Sequence, residues 1–266
     1  MLNDVNARVR KAAKALLPPR AIHAYRYLRH IALFPFEPEI KLVREFLDPT
    51  KIAIDVGADV GLYTSILAAR SAHTIAIEPN PNSAECLRSL RLTRCEVIEA
   101  AASNVDGNSS LRVPHKDKTE YRALGSLSDR NPVRSASYRE YKVRTVALDS
   151  LLATRPVPVS LIKIDVEGYE LAVLEGAAET IKAHRPVLLI EIEFRHGSDV
   201  ERVFEFLTAR GYKAAALLNG VLTPVEAKGL ANLQTDDLLR VKEAHPRFTG
   251  YVNNVIFRHA VTARGA

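Results

Sequence analysis

The sequence predicts an α/β fold built on a doubly wound, mostly parallel sheet, and three observations carry that prediction. From residue 37 onward, short apolar runs alternate with stretches of helical periodicity. The first run, KIAIDV at 51–56, ends in a glycine turn that opens a helix. Two distant runs both spell Ile-Asp-Val, at 54–56 and 164–166, as buried parallel strands do. Parallel pairing needs right-handed crossovers, which the intervening helices supply. At 266 residues and 47% hydrophobic content the chain can bury one sizeable core. We therefore expect a single domain over 37–266 with a basic helical extension at 1–36.

The elements follow in order. The extension carries seven Lys or Arg against one acid in residues 1–30. There Val5, Val9, Ala12 and Leu16 recur at helical spacing until Pro18-Pro19 stops the helix, and Ile22, Tyr25 and Leu28 mark a second one. Such an arm suits peripheral contact with an acidic membrane surface, or packing on the domain, or pairing of two subunits in a homodimer. A helix near 38–47 precedes strand 51–57, helix 61–71, strand 73–78, helix 81–92 and strand 95–101. Asp106-Gly107-Asn108 reads as a hairpin turn. Residues 114–140 lack periodicity, and a loop that long in a compact domain reads as a substrate-binding element. Strands at 141–148, 160–166, 186–192, 212–218 and 253–259 follow, with helices at 169–184 and 198–210. Residues 221–250 give no clear pattern.

Composition excludes several classes. Charged residues make up 26%, an ordinary globular share that argues against wholesale disorder. A formal charge of +6 and a pI near 9.3 permit an acidic partner without naming one. Cys86 and Cys95 are too few for a disulfide scaffold and lack metal-ligand spacing, so reduced thiols and a cytoplasmic location are expected. The apolar stretches of the N-terminus are broken by Lys, Arg and Pro, which leaves neither a secretory signal nor a membrane span.

The turn after the first strand reads Asp55-Val56-Gly57-Ala58-Asp59-Val60-Gly61, not the G-x-G-x-x-G that admits a pyrophosphate. Asp55 and Asp59 would repel phosphate and welcome a cation. Glu78 closes the next strand, where its carboxylate can accept both hydroxyls of a ribose. A nucleoside with a positively charged tail fits both requirements, and S-adenosylmethionine is such a molecule.

Taken together, IDVGADVGLYT at 54–64, IEPNP at 77–81, AASNVDG at 101–107, LGSL at 124–127, VRTVALDSLL at 143–152, LIKIDVEGYELAVLEGA at 161–177 and RPVLLIEIE at 185–193 resemble the FkbM-type methyltransferases, a branch of the class I S-adenosylmethionine-dependent enzymes. The resemblance implies a Rossmann-like, seven-stranded sheet whose last strand is antiparallel. It also implies methyl transfer to a hydroxyl of a glycan, lipid or secondary metabolite. Carried over by position, Asp55, Gly57, Ala58, Asp59 and Gly61 would shape the methionine and ribose pocket, with Tyr63 and Thr64 on the helix below. Glu78 would hold the ribose, and Ala101, Ala102 and Ser103 would border the adenine. This chain departs from the family in having Asp59 where Asn is common and Asn104 where an acid is common.

The second Ile-Asp-Val run places Lys163, Asp165 and Glu167 on one side of a strand. If the sheet order reverses after the first strand, Asp55 and Asp165 flank one crevice at its switch point. Asp165 can orient an acceptor hydroxyl, with Glu191 as a second acid and His196 as a base for neutral pH; a divalent metal held through oxygen is the alternative. Glu167 reads as first-turn helix chemistry and Glu170 as solvated. Two rival functions stand beside this one. Nine Lys or Arg against four acids in 112–144 would suit a nucleic-acid methyltransferase, or equally an anionic glycan. However, the Pro-Pro-aromatic signature of amino-group methylation is absent, and neither cysteine is followed or preceded by proline. A non-catalytic S-adenosylmethionine-binding protein would keep the fold without the chemistry.

Overall fold

The computed structural model describes residues 38–117, 119–129, 137–155, 157–244 and 250–260. The basic extension at 1–36 and residues 130–136 of the expected substrate loop lie outside them. Twelve strands occur among the described residues: β1 (Ile52–Val56), β2 (His73–Ile77), β3 (Cys95–Ile98), β4 (Ala101–Ala102), β5 (Gly107–Lys116), β6 (Thr119–Glu120), β7 (Tyr138–Val146), β8 (Val159–Ile164), β9 (Val187–Glu191), β10 (Tyr212–Leu218), β11 (Val221–Pro224) and β12 (Asn254–His259). The α-helices are α1 (Glu39–Phe46), α2 (Leu62–Arg70), α3 (Pro81–Ser89), α4 (Leu148–Leu152), α5 (Glu170–Glu175), α6 (Ala178–His184), α7 (Val200–Thr208), α8 (Ala227–Asn232) and α9 (Asp236–Ala244).

The main sheet runs β11-β10-β12-β9-β8-β1-β2-β3. β9, β8, β1, β2 and β3 pair in parallel, while β12 is antiparallel to both β9 and β10. Chain order runs outward from β1 to β3 and resumes at β8 on the other side of β1. That is the expected doubly wound arrangement, with its switch point between β1 and β8. Both faces are covered. Ile54, Val56, Ile162, Ile164, Leu188 and Ile190 face one core, and Ala53, Leu161 and Leu189 face another built with Ile40, Ile66 and Leu67. Each fully buried Ile or Leu side chain contributes about 1.5–3 kcal/mol, so the alternating faces of β1, β8 and β9 fix their register.

Four expectations need correction. The sheet has eight strands, not seven, because β10 folds back into β11. Asn219 (φ 49°) and Gly220 (φ 80°) make that turn in the left-handed conformation, and the Asn-Gly pair was a readable hairpin signal. The helix expected over 169–184 is broken into α5 and α6 at Ala177 (φ −116°), next to Gly176, which packs on the Ser103 carbonyl so tightly that a Cβ would lie 2.0 Å from its oxygen. The turn at 106–108 does not make a hairpin: β4 and β5 are separated by β7 in a second sheet, β4-β7-β5-β6, and Asp106 instead accepts a 2.7 Å hydrogen bond from the Ala147 N–H. Finally, part of the expected loop 114–140 is strand, because β5 runs to Lys116 and β7 begins at Tyr138.

Candidate active site

The tips of β1 and β8 touch. Asp55 pairs with Lys163 and Val56 with Ile164, and the Asp165 N–H then donates to the Val56 carbonyl at 3.0 Å. Gly57 (φ 76°) turns the chain away; a Cβ on it would lie 1.7 Å from the Asp165 carbonyl oxygen. The need for glycine therefore comes from the neighbouring strand tip. Gly61 (φ 88°) precedes α2, and a Cβ there would meet Leu87 Cδ1 at 2.4 Å. Ala58 is buried in a small cluster with Ala76, Leu87 and Leu90.

Beneath the turn, Asp55 is 1% exposed. Its Oδ2 accepts a 2.5 Å hydrogen bond from Thr64 Oγ1 on α2, while its Oδ1 is buried with no partner. Burial raises its carboxyl above the usual range, against the opposing pull of Lys163 and Thr64. An unpartnered buried carboxylate oxygen at this point suits a cationic ligand group. Tyr63, also on α2, stands under the ammonium of Lys163 at 4.7 Å.

Glu78, just beyond β2, accepts hydrogen bonds of 2.8 Å from the N–H groups of Asp59 and Asn80. Asn80 in turn caps α3 by accepting from the N–H groups of Asn82 and Ser83. The local sequence thus orients the carboxylate: Pro81 starts the helix, Asn80 caps it, and Glu78 holds the cap. Burial pushes the Glu78 carboxyl up to about 8. Asp59 (φ 41°) accepts from Ser83 Oγ at 2.9 Å. Across the crevice, Ala101 and Ala102 are buried beside Thr145 and Val146 of β7, and Ser103 Oγ lies 3.4 Å from the Tyr169 hydroxyl. The residues read from the sequence as cofactor contacts thus sit at the β1 turn and the start of α2, just beyond β2, and at β4.

On the other side stand the acids. The Asp165 side chain is 27% exposed and receives a 2.9 Å ion pair from the buried ammonium of Lys163. Continuing the β8–β9 register one residue past Ile164–Ile190 brings Asp165 opposite Glu191. Glu191 accepts a 2.8 Å hydrogen bond from Asn253 Nδ2. His196, read from the sequence as a base, is turned inward: Nδ1 lies 2.5 Å from Glu167 Oε2, and Nε2 is 3.9 Å from Glu193 Oε1. Burial lowers its pKa, against the attraction of Glu193.

Two acids differ from expectation. Glu167 lies in the β8–α5 turn, not in a helix, and Glu170 is 1% exposed, not solvated; its Oε1 accepts from the Gly168 N–H at 2.7 Å. The sequence places Glu193 at the end of its strand without a role, and gives none to Arg195, Tyr251 or Gln234. Glu193 is 1% exposed and receives a two-pronged bond from Arg195, at 2.6 and 2.7 Å, and another from the Tyr251 hydroxyl. Gln234 Nε2 donates to the carbonyls of Ile192 and Val252, and its Oε1 accepts from the Phe194 N–H. The Arg195–Glu193 bond is local, two residues apart, but nothing local announces the contacts of Tyr251 and Gln234, which join segments far apart. Among the described residues no group of three His, Cys, Asp or Glu side chains is placed to hold a metal ion, and no helix is long and apolar enough to cross a membrane.

A doubly wound sheet with a glycine turn after the first strand and an acid just beyond the second is a Rossmann-like, nucleoside-binding architecture. Residues 55–214 match the Methyltransferase FkbM domain, and the chain belongs to that family. It is 26% identical over 180 residues to the hexuronic acid methyltransferase AglP of Haloferax volcanii, a match covering 64% of this chain and 66% of that protein, just under two thirds of its length. Among solved structures it is similar to methyltransferase FkbM from Methylobacillus flagellatus KT (17% identity, TM-score 0.47, 79% of this chain and 44% of that one). It is also similar to an O-methyltransferase from Bacillus cereus in complex with SAH (17% identity, TM-score 0.44, 94% and 96%).

Proposed function

We propose that the protein is an S-adenosylmethionine-dependent O-methyltransferase whose acceptor is a hydroxyl of a glycan, with sugars bearing a hexuronic acid as the first class to test. The observation that carries the reading is the partly exposed Asp165 carboxylate, fixed by Lys163 at the tip of β8 beside the Gly57 turn. The Haloferax relative, named for a hexuronic acid, supports the acceptor class.

In this reading Asp55, Gly57, Ala58, Asp59 and Gly61, with Tyr63 and Thr64 below, hold the methionine end of the cofactor. Glu78 accepts the ribose hydroxyls, and Ala101, Ala102 and Ser103 border the adenine. The cofactor supplies a methyl group made electrophilic by a positively charged sulfur. Asp165 orients the acceptor hydroxyl, and Glu191 supports it from the next strand. Positioning dominates the rate, because alignment supplies about 7–11 kcal/mol of such a barrier while base assistance adds about 10²–10⁴-fold. Asp165→Asn is therefore expected to bind SAH as the wild type does by calorimetry, yet to lose about 10²-fold or more in turnover on hexose and hexuronic acid glycosides. Unchanged turnover would remove Asp165 from the reaction. Firm SAH binding by the wild type, with no product from any acceptor, would favour a non-catalytic binding protein.

A second expectation concerns Glu78. Ribose hydroxyls donate hydrogen bonds, so they favour the ionised carboxylate, whereas burial in the free protein favours the protonated one. SAH affinity should therefore rise with pH until about 8, where Glu78 is ionised without help, and level off above. Binding below that pH should release a proton, seen by calorimetry in buffers of different ionisation enthalpy. Glu78→Gln should abolish the proton release and weaken SAH by about 10- to 100-fold.

A further inference from the structure

Behind the crevice lies a buried pair, Glu167 and His196, held by contacts from several parts of the chain. Glu167 has φ 53°, a left-handed conformation that a non-glycine residue keeps only when its surroundings impose it. Three restraints do so. Its carbonyl accepts a 2.6 Å hydrogen bond from Ser126 Oγ, its carboxyl lies 2.5 Å from His196 Nδ1, and the next residue, Gly168, is pressed on the His196 backbone so that a Cβ would lie 2.2 Å from its carbonyl oxygen. Two residues earlier the same turn carries Asp165, whose N–H is tied to Val56. Glu167 and Asp165 thus share one short turn.

The charges around the pair decide its protonation. Asp165 lies on the turn with its partner Lys163 on β8, and Glu170 follows on α5. Glu193 and Arg195 come from the segment after β9, and Tyr251 from the segment before β12. Three carboxylates thus face the pair, while the guanidinium of Arg195 is already forked on Glu193. Burial first, then Asp165 and Glu193, push the Glu167 carboxyl well above its usual range, and burial keeps His196 from charging. The pair, in contact at 2.5 Å, is most stable with no net charge.

We propose that Glu167 and His196 share one proton across their contact and act as a neutral positioning pair that fixes the turn carrying Asp165. The link to acceptor chemistry rests on the function proposed above; the shared proton does not.

Two substitutions separate this role from others. Glu167→Gln keeps the size, has no charge and can still donate to Nδ1, so it should retain kcat within about threefold of wild type on a hexuronic acid glycoside. Glu167→Ala frees the turn and should lower kcat by about tenfold or more, with SAH affinity and the KM for S-adenosylmethionine unchanged. Raising the pH removes the shared proton and places a second negative charge beside Asp165, so wild-type kcat should decline on the alkaline side while that of Glu167→Gln stays level. If Glu167→Gln loses as much as Glu167→Ala, the carboxylate itself is required and the neutral pair is wrong. The proton can also be sought without an acceptor. Proton NMR of the SAH-loaded wild type in water should show one exchangeable resonance far downfield of the amides, absent from Glu167→Ala. Its absence from the wild type would overturn the pair whatever the turnover. A wild type that shows this resonance but methylates no acceptor would instead overturn the proposed function.

Discussion

Gly57→Ala is expected to cost the protein a large part of its folding stability. At φ 76° an L-residue already loses about 1–2 kcal/mol, but the larger penalty is steric. The new Cβ would stand 1.7 Å from the Asp165 carbonyl oxygen, about half the distance of ordinary contact. That oxygen cannot yield as the end of a flexible side chain would. It belongs to the chain leaving a central strand, anchored by the Asp165 N–H on Val56 and by the β1–β8 register. Relief requires parting the two central strands where both faces are buried. The loss should exceed about 4 kcal/mol, the exceptional end of single substitutions, from a total of about 5–15 kcal/mol. Urea unfolding followed by circular dichroism would measure it, with Gly220→Ala as the control. Gly220 has a similar φ of 80° but nothing within 4 Å of its added Cβ, so that variant should lose only the conformational 1–2 kcal/mol or so. Equal midpoints for the two variants would contradict the contact between the strand tips.

The same glycine shows how far the sequence could be read. Its place after a buried strand was legible, and so was the pairing of two Ile-Asp-Val tips, because parallel central strands are apolar throughout and the charges stand only where they end. The physical reason for the glycine was not legible. It lies in a backbone oxygen 108 residues away along the chain, Asp165 minus Gly57, and no local pattern reports such a neighbour. Glu78 was readable for a similar reason: its partners, Asp59 and Asn80, are set by the turn and the helix cap next to it. The acids behind the crevice failed to read correctly because burial is a tertiary property. Glu170 opens a helix in a stretch rich in charge, which looks solvated, yet α5 turns it inward against Gly168. His196 looked like an open-loop base because the carboxylate in direct contact with it, Glu167, comes from a distant turn. β11 is the opposite case, since Asn219-Gly220 announced the hairpin and the four-residue strand after it was simply too short to show alternation.

Arg195→Met should reverse the sign of the contribution that Glu193 makes to the pH dependence of stability. Glu193 is 1% exposed, and burial alone would raise its carboxyl. The two bonds from Arg195, its charge, and the Tyr251 hydroxyl more than offset this, so the folded-state pKa lies below the unfolded value. A depressed carboxylate contributes stability that is present above its unfolded pKa and lost as the pH falls through its folded one. In the wild type this contribution is therefore full at neutral pH and fades in acid. Removing the guanidinium leaves burial as the largest influence, so the Glu193 pKa should move above its unfolded value and the sign should invert. The variant would then lose stability as the pH rises through that raised value and recover part of it in acid, where a neutral carboxyl is easier to bury. Near pH 8 the loss should be about 3 kcal/mol, the low end for breaking a buried pair, since the Arg195 side chain is 32% exposed. Unfolding free energies measured between pH 5 and pH 8 for both proteins would decide it. Curves that stay parallel across that range would show that Arg195 does not hold the charge of Glu193. The double variant Glu193→Gln with Arg195→Met should return to a pH dependence close to that of the wild type, because the added titration of Glu193 is gone.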